Sequence, residues 1–311
     1  MTPRLLVTLG DVAGIGPEII AKAWPQLARY GQCTVVGDPT FLPQGIPCVN
    51  PCKINLSGVL PGVVSAAAGQ AAYEWLCYAI DECLAGRAEA IVTAPIHKEG
   101  FHAAGVPYPG HTEVLADRCA AAHHAMLLYD DDIPLAVAHV TLHTSVADAV
   151  KGLSIAGVLE KIELLHELIP RLTGQPARIA VGALNPHASD GGLFGHEEAT
   201  IITPAIRQAR AIGLVVRGPI PADAIFLPHQ RGSINGIVCM IHDHGHIPMK
   251  LLGGRRAVNV TAGLPIIRTS VAHGTAYDIV GKNIADESSL VAAVRVAASL
   301  TARTITTAAG A

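Results

Sequence analysis

Charge is scarce in this chain. Only 15% of its 311 residues are Asp, Glu, Lys or Arg, against about 25% in a typical domain, whereas 50% are hydrophobic. So little charge favours partial cover of the surface by a second subunit, and we expect an oligomer. The net charge of −3 and the pI near 6.6 lack the basic excess of nucleic-acid-binding proteins, so no nucleic-acid partner is expected.

Long hydrophobic runs are missing as well. No uninterrupted apolar stretch approaches the roughly 20 residues that span a bilayer. The N-terminal segment MTPRLLVTLGDVAG reaches Asp11 too soon to form the apolar part of a signal peptide. We therefore expect a soluble, cytoplasmic protein with no membrane partner. The seven cysteines are an odd number without C-x-x-C spacing, which favours reduced and mostly buried thiols.

Several common catalytic signatures are absent too. The sequence has no G-x-x-x-x-G-K-[ST], no G-x-S-x-G and no H-E-x-x-H, which argues against kinases, serine hydrolases and zincins. The glycine-rich segment GDVAGIGPE at 10–18 differs from the G-x-G-x-x-G dinucleotide fingerprint. Because Pro17 suits the first turn of a helix, we interpret this segment as a structural turn from a strand into a helix.

The sequence does contain a regular alternation of short apolar runs with longer segments of helical period. Such alternation indicates an α/β fold built on a largely parallel sheet. Strands are predicted at RLLVTLG, CTVVGD, AEAIVTAP, AMLLYD, LAVAHVTL, ARIAVGAL, GLVVRG, NGIVCMIH and AVNVTAG. Helices are predicted at 14–30, 65–86, 112–122, 154–172, 196–212, 275–281 and 287–305.

Polar residues collect where the predicted strands end, and open α/β sheets bind ligands at that edge. Three histidines, His143, His187 and His242, each follow an apolar strand inside a polar loop. Neutral imidazoles with open coordination positions suit a catalytic divalent metal, although each ring could instead cap its own strand end. His139 precedes His143 by four residues and is predicted to be a packed structural histidine.

The stretch HDHGH at 242–246 places three histidines around one aspartate. Local histidines alone fit a metal site, an acid–base site and a polar loop, so all three interpretations stay open for this stretch.

A second group of polar residues could bind an anion. His111 and Thr112 in GHTE, together with Lys250, Asn259 and Arg268, can surround a phosphate or carboxylate with charge-assisted donors. The alternative is scattered surface charge. Asn259 and Arg268 stand in apolar contexts, where an unpaired polar group is costly, and this favours the anion site.

With these segments assembled, the chain resembles the 4-hydroxythreonine-4-phosphate dehydrogenase family of vitamin B6 biosynthesis over nearly its full length. The resemblance implies an α/β fold of the isocitrate/isopropylmalate dehydrogenase type. Residues 1–311 would then form a single two-lobed catalytic unit with the active-site cleft between the lobes, and a homodimer would share the active site between its subunits. The matching blocks are GDVAGIGPE, TAPIHKEGFHAAGVPYPGHTE, ALNPHASDGGLFGHEE, GPIPADAIF, HDHGHIPMK and VNVTAGLPIIRTSVAHGTAYDIVGKNIAD.

The resemblance also implies a set of ligands and contacts. The family's metal-binding histidines match His143, His187 and His242, one of them supplied by the partner chain, and the ion would be zinc, magnesium or cobalt. The family's substrate and phosphate contacts match residues that are all present here: His111, Thr112, Lys250, Asn259 and Arg268.

The segment HGTAYDIVGKNIAD is similar to the loop that holds the adenosine half of NAD in isopropylmalate dehydrogenases. Asp278 is suited to accept from the ribose hydroxyls and to repel a 2′-phosphate, which favours NAD over NADP. The cofactor-binding candidates implied by this similarity are His273, Gly274, Thr275, Ala276 and Asp278.

The expected reaction is the NAD- and metal-dependent oxidation of a secondary alcohol in a phosphorylated hydroxy acid, such as 4-hydroxythreonine 4-phosphate, followed by decarboxylation. Lys250, Asp243 and Lys98 are the candidates for proton transfer. A metal-dependent hydrolase or lyase that uses the same histidines without a nicotinamide is the alternative from a different class.

Two residues depart from the family pattern: His244 replaces a glutamine and His246 replaces an apolar residue. HVTLHTSV is also closer to the branch that oxidises the terephthalate cis-dihydrodiol, but that branch lacks the His–Thr pair and the arginine. Their presence here favours a phosphorylated substrate. The alternatives are a cis-dihydrodiol carboxylate and threonate or erythronate 4-phosphate.

Overall fold

The computed structural model describes residues 2–308, and these fold into two compact α/β units. Unit 1 contains the residues up to Ala122 together with those from Val258 onward, and unit 2 is His123–Ala257. The chain thus builds most of unit 1, then all of unit 2, and returns to unit 1. The single catalytic unit predicted for 1–311 stays a prediction.

The strands are short and mostly buried along their whole length, as expected for strands covered on both faces. In the described part of the chain they are β1 (Arg4–Thr8), β2 (Gln32–Val36), β3 (Cys48–Val49), β4 (Ala90–Thr93), β5 (Ala125–Asp130), β6 (Leu135–His139), β7 (Ile179–Gly182), β8 (Val216–Ile220), β9 (Gly236–Cys239), β10 (Val258–Ala262) and β11 (Ile267–Val271).

The helices follow the predicted periodic segments closely where those segments are long. They are α1 (Gly16–Leu27), α2 (Ala66–Leu84), α3 (Lys98–Ala103), α4 (His111–Arg118), α5 (Val146–Lys151), α6 (Ile155–Thr173), α7 (Thr203–Ala211), α8 (Pro228–Arg231), α9 (His242–Gly253) and α10 (Ser288–Ala308). A π-helical turn, Glu198–Ile202, leads into α7.

The strands of unit 1 lie in the order β3-β2-β1-β4-β11-β10. All neighbours are parallel except β10 and β11, which pair antiparallel. The side chain of Thr269 on β11 donates to the backbone oxygen of Ala293 in α10, so α10 covers the face of the sheet to which Thr269 points. Its alternate neighbours on β11 point to the other face.

The strands of unit 2 lie in the order β5-β6-β9-β7-β8. Again all pairs are parallel except one, β5 with β6. A core that includes Leu128, Leu135, Val137, Ile237 and Met249 packs between these strands and α9. The largely parallel α/β class predicted from the sequence is confirmed, and each unit adds one antiparallel strand to it.

Three sequence-based predictions of local structure were wrong. The helix predicted at 275–281 is only a 3-10 turn at Tyr277–Ile279, because Ala276 before it adopts a left-handed conformation with φ of 46°. The helix predicted at 112–122 ends at Arg118, two residues before left-handed Ala120. The stretch that begins at His242 is not a polar loop but the first turn of α9, which follows Ile241 in an extended conformation.

All seven cysteines are free, as predicted. Among the described residues, no helix is long and apolar enough to cross a membrane.

Helices α2 and α3 approach so closely that one glycine is required at their contact. A Cβ added to Gly69 would overlap the backbone carbonyl of Gly100. Glycine in a helix interior usually costs about 1 kcal/mol relative to alanine, so its presence here reflects the close contact and not helix propensity.

We predict that Gly69→Ala destabilises the protein by about 1–3 kcal/mol, because the two backbones must move apart. The measurement is the urea midpoint of unfolding. Gly58→Ala is the matched control, since nothing lies within 4 Å of a Cβ added at Gly58. A Gly69→Ala midpoint equal to or above that of the parent would show that the helices are not packed this closely.

Candidate active site

The strand order of unit 2 brings the three predicted metal ligands to one edge of its sheet. β6, β9 and β7 are consecutive parallel neighbours, so their carboxyl ends share an edge. His143, His242 and His187 follow these three strands within a few residues of their ends. The ring centroids of His143 and His242 are 6.1 Å apart.

His242 is the first residue of α9, and its ring is held by its neighbour in sequence. Its Nδ1 lies 2.7 Å from Oδ1 of Asp243. A carboxylate at Nδ1 fixes the tautomer and leaves Nε2 as the available nitrogen. Asp243, a predicted candidate for proton transfer, is thus placed to orient His242.

His187 lies in a turn of unusual backbone conformation. His187, Ala188, Ser189, Asp190 and Gly191 all have positive φ, between 43° and 70°. Four of these five residues carry a Cβ, and left-handed conformations cost such residues roughly 1–2 kcal/mol each. Backbone strain of this kind clusters at functional sites, where surrounding contacts maintain it.

The segment that leads from β7 into this turn is held by a buried carboxylate. Glu198 is 3% exposed. It accepts hydrogen bonds from the backbone N–H groups of Leu184 and Asn185 and from the side-chain amide of Asn185. Burial acts to raise the pKa of Glu198, but these hydrogen bonds to Asn185 and Leu184 outweigh it and lower the pKa below its ordinary value. An ionised Glu198 therefore anchors the entrance to the His187 turn.

His187 and His242 share one arrangement. In His187, as in His242, Nδ1 faces a carboxylate: it lies 3.2 Å from Oδ2 of Asp190. Metal-ligating histidines almost always hold a carboxylate or carbonyl at the nitrogen that does not bind the metal. The donor set therefore fits a divalent ion. Within residues 2–308 of one chain, however, no three His, Cys, Asp or Glu side chains are grouped to hold a metal.

Two further histidines lie behind His242. His139 is 1% exposed and His246 is 8% exposed, and Nδ1 of His246 lies 3.1 Å from Nε2 of His139. Burial and the neighbouring histidines lower the pKa of His139 to about 3. Burial, with the nearby His242, lowers the pKa of His246 to about 4. Both rings are therefore neutral, and the prediction that His139 is a packed structural histidine is confirmed.

Unit 1 carries a polar patch on the face of its sheet opposite to Thr269. Strand alternation and the registers of β1, β4, β11 and β10 put its residues on one side. We call this set the unit 1 polar face: Thr8, Thr93, Asn259, Thr261, Arg268 and Ser270.

Arg268 is the charged centre of the unit 1 polar face and is 2% exposed. One terminal nitrogen donates to Oγ1 of Thr261 at 3.0 Å and the other to Oγ1 of Thr93 at 2.7 Å. Its Nε is buried with no hydrogen-bond partner, and no carboxylate pairs with the guanidinium among the described residues. Burial lowers the pKa of Arg268 to about 9, so the group stays charged at neutral pH.

Other polar atoms near this charge are also unsatisfied. Nε2 of His111 and Oδ1 of Asn259 are buried without a partner, as is Oγ1 of Thr8. Burial, together with the charge of Arg268, lowers the pKa of His111 well below its ordinary value. Unsatisfied buried polar atoms beside an uncompensated cation are what a site for an anionic, hydroxyl-bearing ligand would contain.

Three further predicted site residues, Thr112, Lys98 and Lys250, lie at exposed or half-buried positions. Thr112 follows His111 in the first turn of α4, and Lys98 begins α3. Lys250 is exposed on α9, eight residues after His242, so it lies about 12 Å further along the helix axis.

The predicted cofactor loop is tied to the glycine-rich segment near the N-terminus. The backbone oxygen of Thr275 accepts from the N–H of Ile15, and a Cβ added to Gly14 would overlap Thr275. Asp278 is exposed, and none of the contacts described for residues 2–308 involves its carboxylate. His273 and Gly274 are exposed and Ala276 is half-buried, so the loop offers accessible groups and an unpaired acid to a dinucleotide.

Three buried polar residues that hold other side chains in place were not predicted from the sequence. Thr93 and Thr261 hold Arg268, and their alternation with apolar residues in IVTA and VNVTA was a usable signal. Asp11, interpreted as part of a structural turn, is buried and accepts a 2.5 Å hydrogen bond from the hydroxyl of Tyr277. No local pattern indicates that contact, because it joins residues 266 positions apart.

Comparison with known proteins identifies the family. The family model for "Pyridoxal phosphate biosynthetic protein PdxA" matches residues 26–297. The chain belongs to the PdxA family. A 4-hydroxythreonine-4-phosphate dehydrogenase from Beijerinckia indica is 44% identical over 92% of this chain and 91% of its own length. A D-threonate 4-phosphate dehydrogenase from Salmonella typhimurium is 39% identical over 96% of this chain and 99% of its own.

Solved structures support the same family and the same type of fold. A 4-hydroxythreonine-4-phosphate dehydrogenase from Klebsiella pneumoniae is 37% identical, with a TM-score of 0.87 over 97% of this chain and 98% of its own. A β-decarboxylating dehydrogenase from Thermococcus kodakarensis is only 17% identical and shows the fold alone, with a TM-score of 0.53 over 93% of this chain and 81% of its own. The predicted family and the predicted isopropylmalate-dehydrogenase type of fold are confirmed.

The neutral buried histidines of unit 2 make the stability of the metal-free protein depend on pH. The pKa values of His139 and His246 are lowered from 6.5 to about 3 and about 4. Between these values and 6.5 the unfolded chain binds more protons than the folded one. Stability is thus fully present above about pH 6.5 and falls as pH drops towards 4, by at most about 1.4 kcal/mol per pH unit for each group.

The measurement is urea unfolding in the presence of a chelator between about pH 7 and pH 5. We expect His246→Asn to flatten this dependence, whereas exposed His229→Gln should leave it unchanged. Parallel pH curves for His246→Asn and the parent would show that His246 is not held neutral by the fold.

Proposed function

We propose that this PdxA-family protein is an NAD- and divalent-metal-dependent dehydrogenase. Its substrate would be a phosphorylated hydroxy acid of the 4-hydroxythreonine 4-phosphate or D-threonate 4-phosphate class, oxidised at a secondary alcohol and then decarboxylated. Relatives named for both substrates align with nearly the whole chain, which supports a dehydrogenase over a hydrolase or lyase. The observation that carries the substrate class is the buried Arg268.

A buried guanidinium without a carboxylate has lost its hydration and gained only two neutral hydroxyl partners. A bound phosphate would supply the missing charge and could accept a hydrogen bond from the unpaired Nε. His111 and Thr112, at the N-terminus of α4, would add donors to the same anion. A cis-dihydrodiol lacks a phosphate and would leave this charge without its counter-ion.

Asn259 offers a hydrogen-bond acceptor, whereas the residues around the phosphate would act as donors. Its buried Oδ1 is an acceptor without a donor, which a substrate hydroxyl would satisfy. A ligand that carries both a phosphate and hydroxyl groups uses the donors and the acceptor of the unit 1 polar face together. This combination supports a phosphorylated hydroxy acid over inorganic phosphate or a simple phosphate ester.

His143, His187 and His242 would hold the divalent ion, with one of the three coming from a second copy of the chain as the resemblance implies. Imidazole ligands favour zinc or cobalt over magnesium, which prefers oxygen ligands. The ion would place positive charge beside the reacting alcohol and so favour its ionised form. Asp243 and Asp190 hold His242 and His187 at Nδ1, so that each ring offers Nε2.

In this scheme a lysine transfers the proton. The carboxylate of Asp243 is engaged by His242, which leaves Lys250 and Lys98 as the candidates of the predicted set. Lys250 lies about two helical turns from His242 and would act at a different part of the substrate from the metal ligands. Lys98, at the start of α3, is exposed and belongs to the same unit as the anion site.

NAD would accept the hydride, and the loop of His273, Gly274, Thr275, Ala276 and Asp278 would hold its adenosine half. The exposed, unpaired carboxylate of Asp278 fits the ribose hydroxyls and disfavours a 2′-phosphate, so NAD is expected over NADP. The Tyr277–Asp11 hydrogen bond and the Ile15–Thr275 contact hold this loop against the first turn of α1.

Arg268→Met should abolish the stabilisation of the protein by phosphate, because the charge that binds it is gone. With a phosphorylated substrate, KM should rise roughly 10- to 100-fold, as expected for a lost hydrogen bond to a charged group. Thermal unfolding with phosphate against chloride measures the first effect and steady-state kinetics the second. Exposed Arg207→Met is the control. Equal KM increases on a non-phosphorylated diol would mean that the anion site is misassigned.

His187→Ala should lower the bound divalent metal and turnover together, because a ligand is lost, while the oligomeric state persists. Metal content after dialysis, turnover with NAD and sedimentation provide the three readouts. Exposed His229→Ala serves as the control for removal of a surface histidine. Full activity in a metal-stripped His187→Ala protein would contradict the proposed metal centre.

A further inference from the structure

His242 is part of a stack of histidines that its assignment as a metal ligand does not explain. The ring of His246 lies parallel to that of His242, with the centroids 3.7 Å apart and an interplanar angle of 10°. The two residues are four positions apart on α9, so the helix itself places them on one stripe. One face of the His242 ring is therefore covered by a second imidazole.

His246 is in turn fixed by a residue from another element. Its Nδ1 lies 3.1 Å from Nε2 of His139, at the end of β6, and the two ring centroids are 4.6 Å apart. In this hydrogen bond one ring nitrogen donates and the other accepts. A Cβ added to Gly245 would overlap the His139 ring, so the glycine lets α9 approach β6 closely enough for this hydrogen bond.

The ring of His242 is thus constrained at two places. Asp243 holds Nδ1 at 2.7 Å, and His246 holds the ring face. Together they define both the tautomer and the ring plane, and they leave Nε2 unconstrained. His139 lies farther from His242, with ring centroids 6.2 Å apart. It therefore acts on His242 through His246.

We propose that His246, held by its hydrogen bond to His139, is a positioning residue that fixes the ring plane of His242 for metal binding. The inference rests on the proposed function. It assigns a role to a residue that belongs to neither the predicted metal ligands nor the predicted anion ligands. An apolar side chain at 246 could fill the space but could not accept from or donate to His139, whose Nε2 would then be buried without a partner.

The first test needs no metal. In the metal-free protein, the ¹H–¹³C ring signals of His242, assigned with His242→Ala, should form one sharp set. His246→Leu and His139→Leu should broaden or double that set, because the ring plane is no longer fixed. His139→Gln should restore it, since the glutamine amide can reach the position of Nε2 and renew the hydrogen bond to His246.

The second test is the affinity for Co²⁺, measured by competition with a chelator and by the visible absorption of the bound ion. Loss of a group that supports a metal ligand typically weakens metal binding 10- to 100-fold, so we expect Kd to rise by about that factor in His246→Leu and His139→Leu. His139→Gln should bind within about threefold of the parent. Ile247→Ala, on the exposed side of α9, is the matched control and should change neither readout.

Parent-like ring signals and a parent-like cobalt Kd in both leucine variants would overturn the inference, even if those variants are less stable. Should His246→Leu fail to fold, the His139→Leu and His139→Gln pair decides by the same two readouts. A parent protein whose cobalt Kd is unchanged by His242→Ala would contradict the proposed metal centre. In that case the metal-free ring signals still decide whether His246 positions His242.

Discussion

The buried positive charge of Arg268 is the constraint on which the unit 1 site depends. A charged group this deep is tolerated only with hydrogen-bond partners and, in most proteins, a counter-ion. The fold supplies the partners by setting β11 between β4 and β10, so that Thr93 and Thr261 flank the guanidinium from both sides. Among the described residues, it supplies no carboxylate as a counter-ion. In the proposed function, a phosphorylated ligand supplies this missing negative charge.

A similar pre-organisation is built into unit 2 by backbone strain. Six consecutive residues with positive φ, His187 to Gly192, form the turn that follows β7, and they would not hold this conformation by themselves. The ionised Glu198 offsets part of that cost, since it takes up the N–H groups of Leu184 and Asn185 that the turn leaves without strand partners. The strained turn and the carboxylate that supports it are close in the structure, and both belong to the block ALNPHASDGGLFGHEE.

The sequence alone was sufficient to predict the long periodic helices and the family. The helices predicted at 154–172 and 287–305 lie at Ile155–Thr173 and Ser288–Ala308, because an amphipathic period over five turns is a strong local signal for a helix. In short segments, the conformation of a single residue or packing on another element decided the secondary structure. Ala276 in a left-handed conformation ended the helix predicted at 275–281, and the histidine-rich start of α9 became a helix through its packing on β6.

Contacts between distant strands could not be predicted in the same way. The position of β11 between β4 and β10 depends on non-local pairing, which local propensity does not encode. Arg268 could thus be named as an anion ligand, while its partner Thr93, 175 residues away in sequence, could not be assigned. The same holds for the hydrogen bond between Tyr277 and Asp11 and for the pair His139 and His246, which are 107 residues apart.

One physical effect gives the two units their different chemistry. Burial opposes charge in both, but its outcome depends on the group that is buried. For His139 and His246 it lowers the pKa far enough to keep the rings neutral, so they can stack and share a hydrogen bond beside His242. For Arg268 the pKa falls only to about 9, so the charge persists. The proposed function uses both outcomes: neutral imidazoles beside a metal ligand in unit 2, and a charged guanidinium beside a phosphate in unit 1.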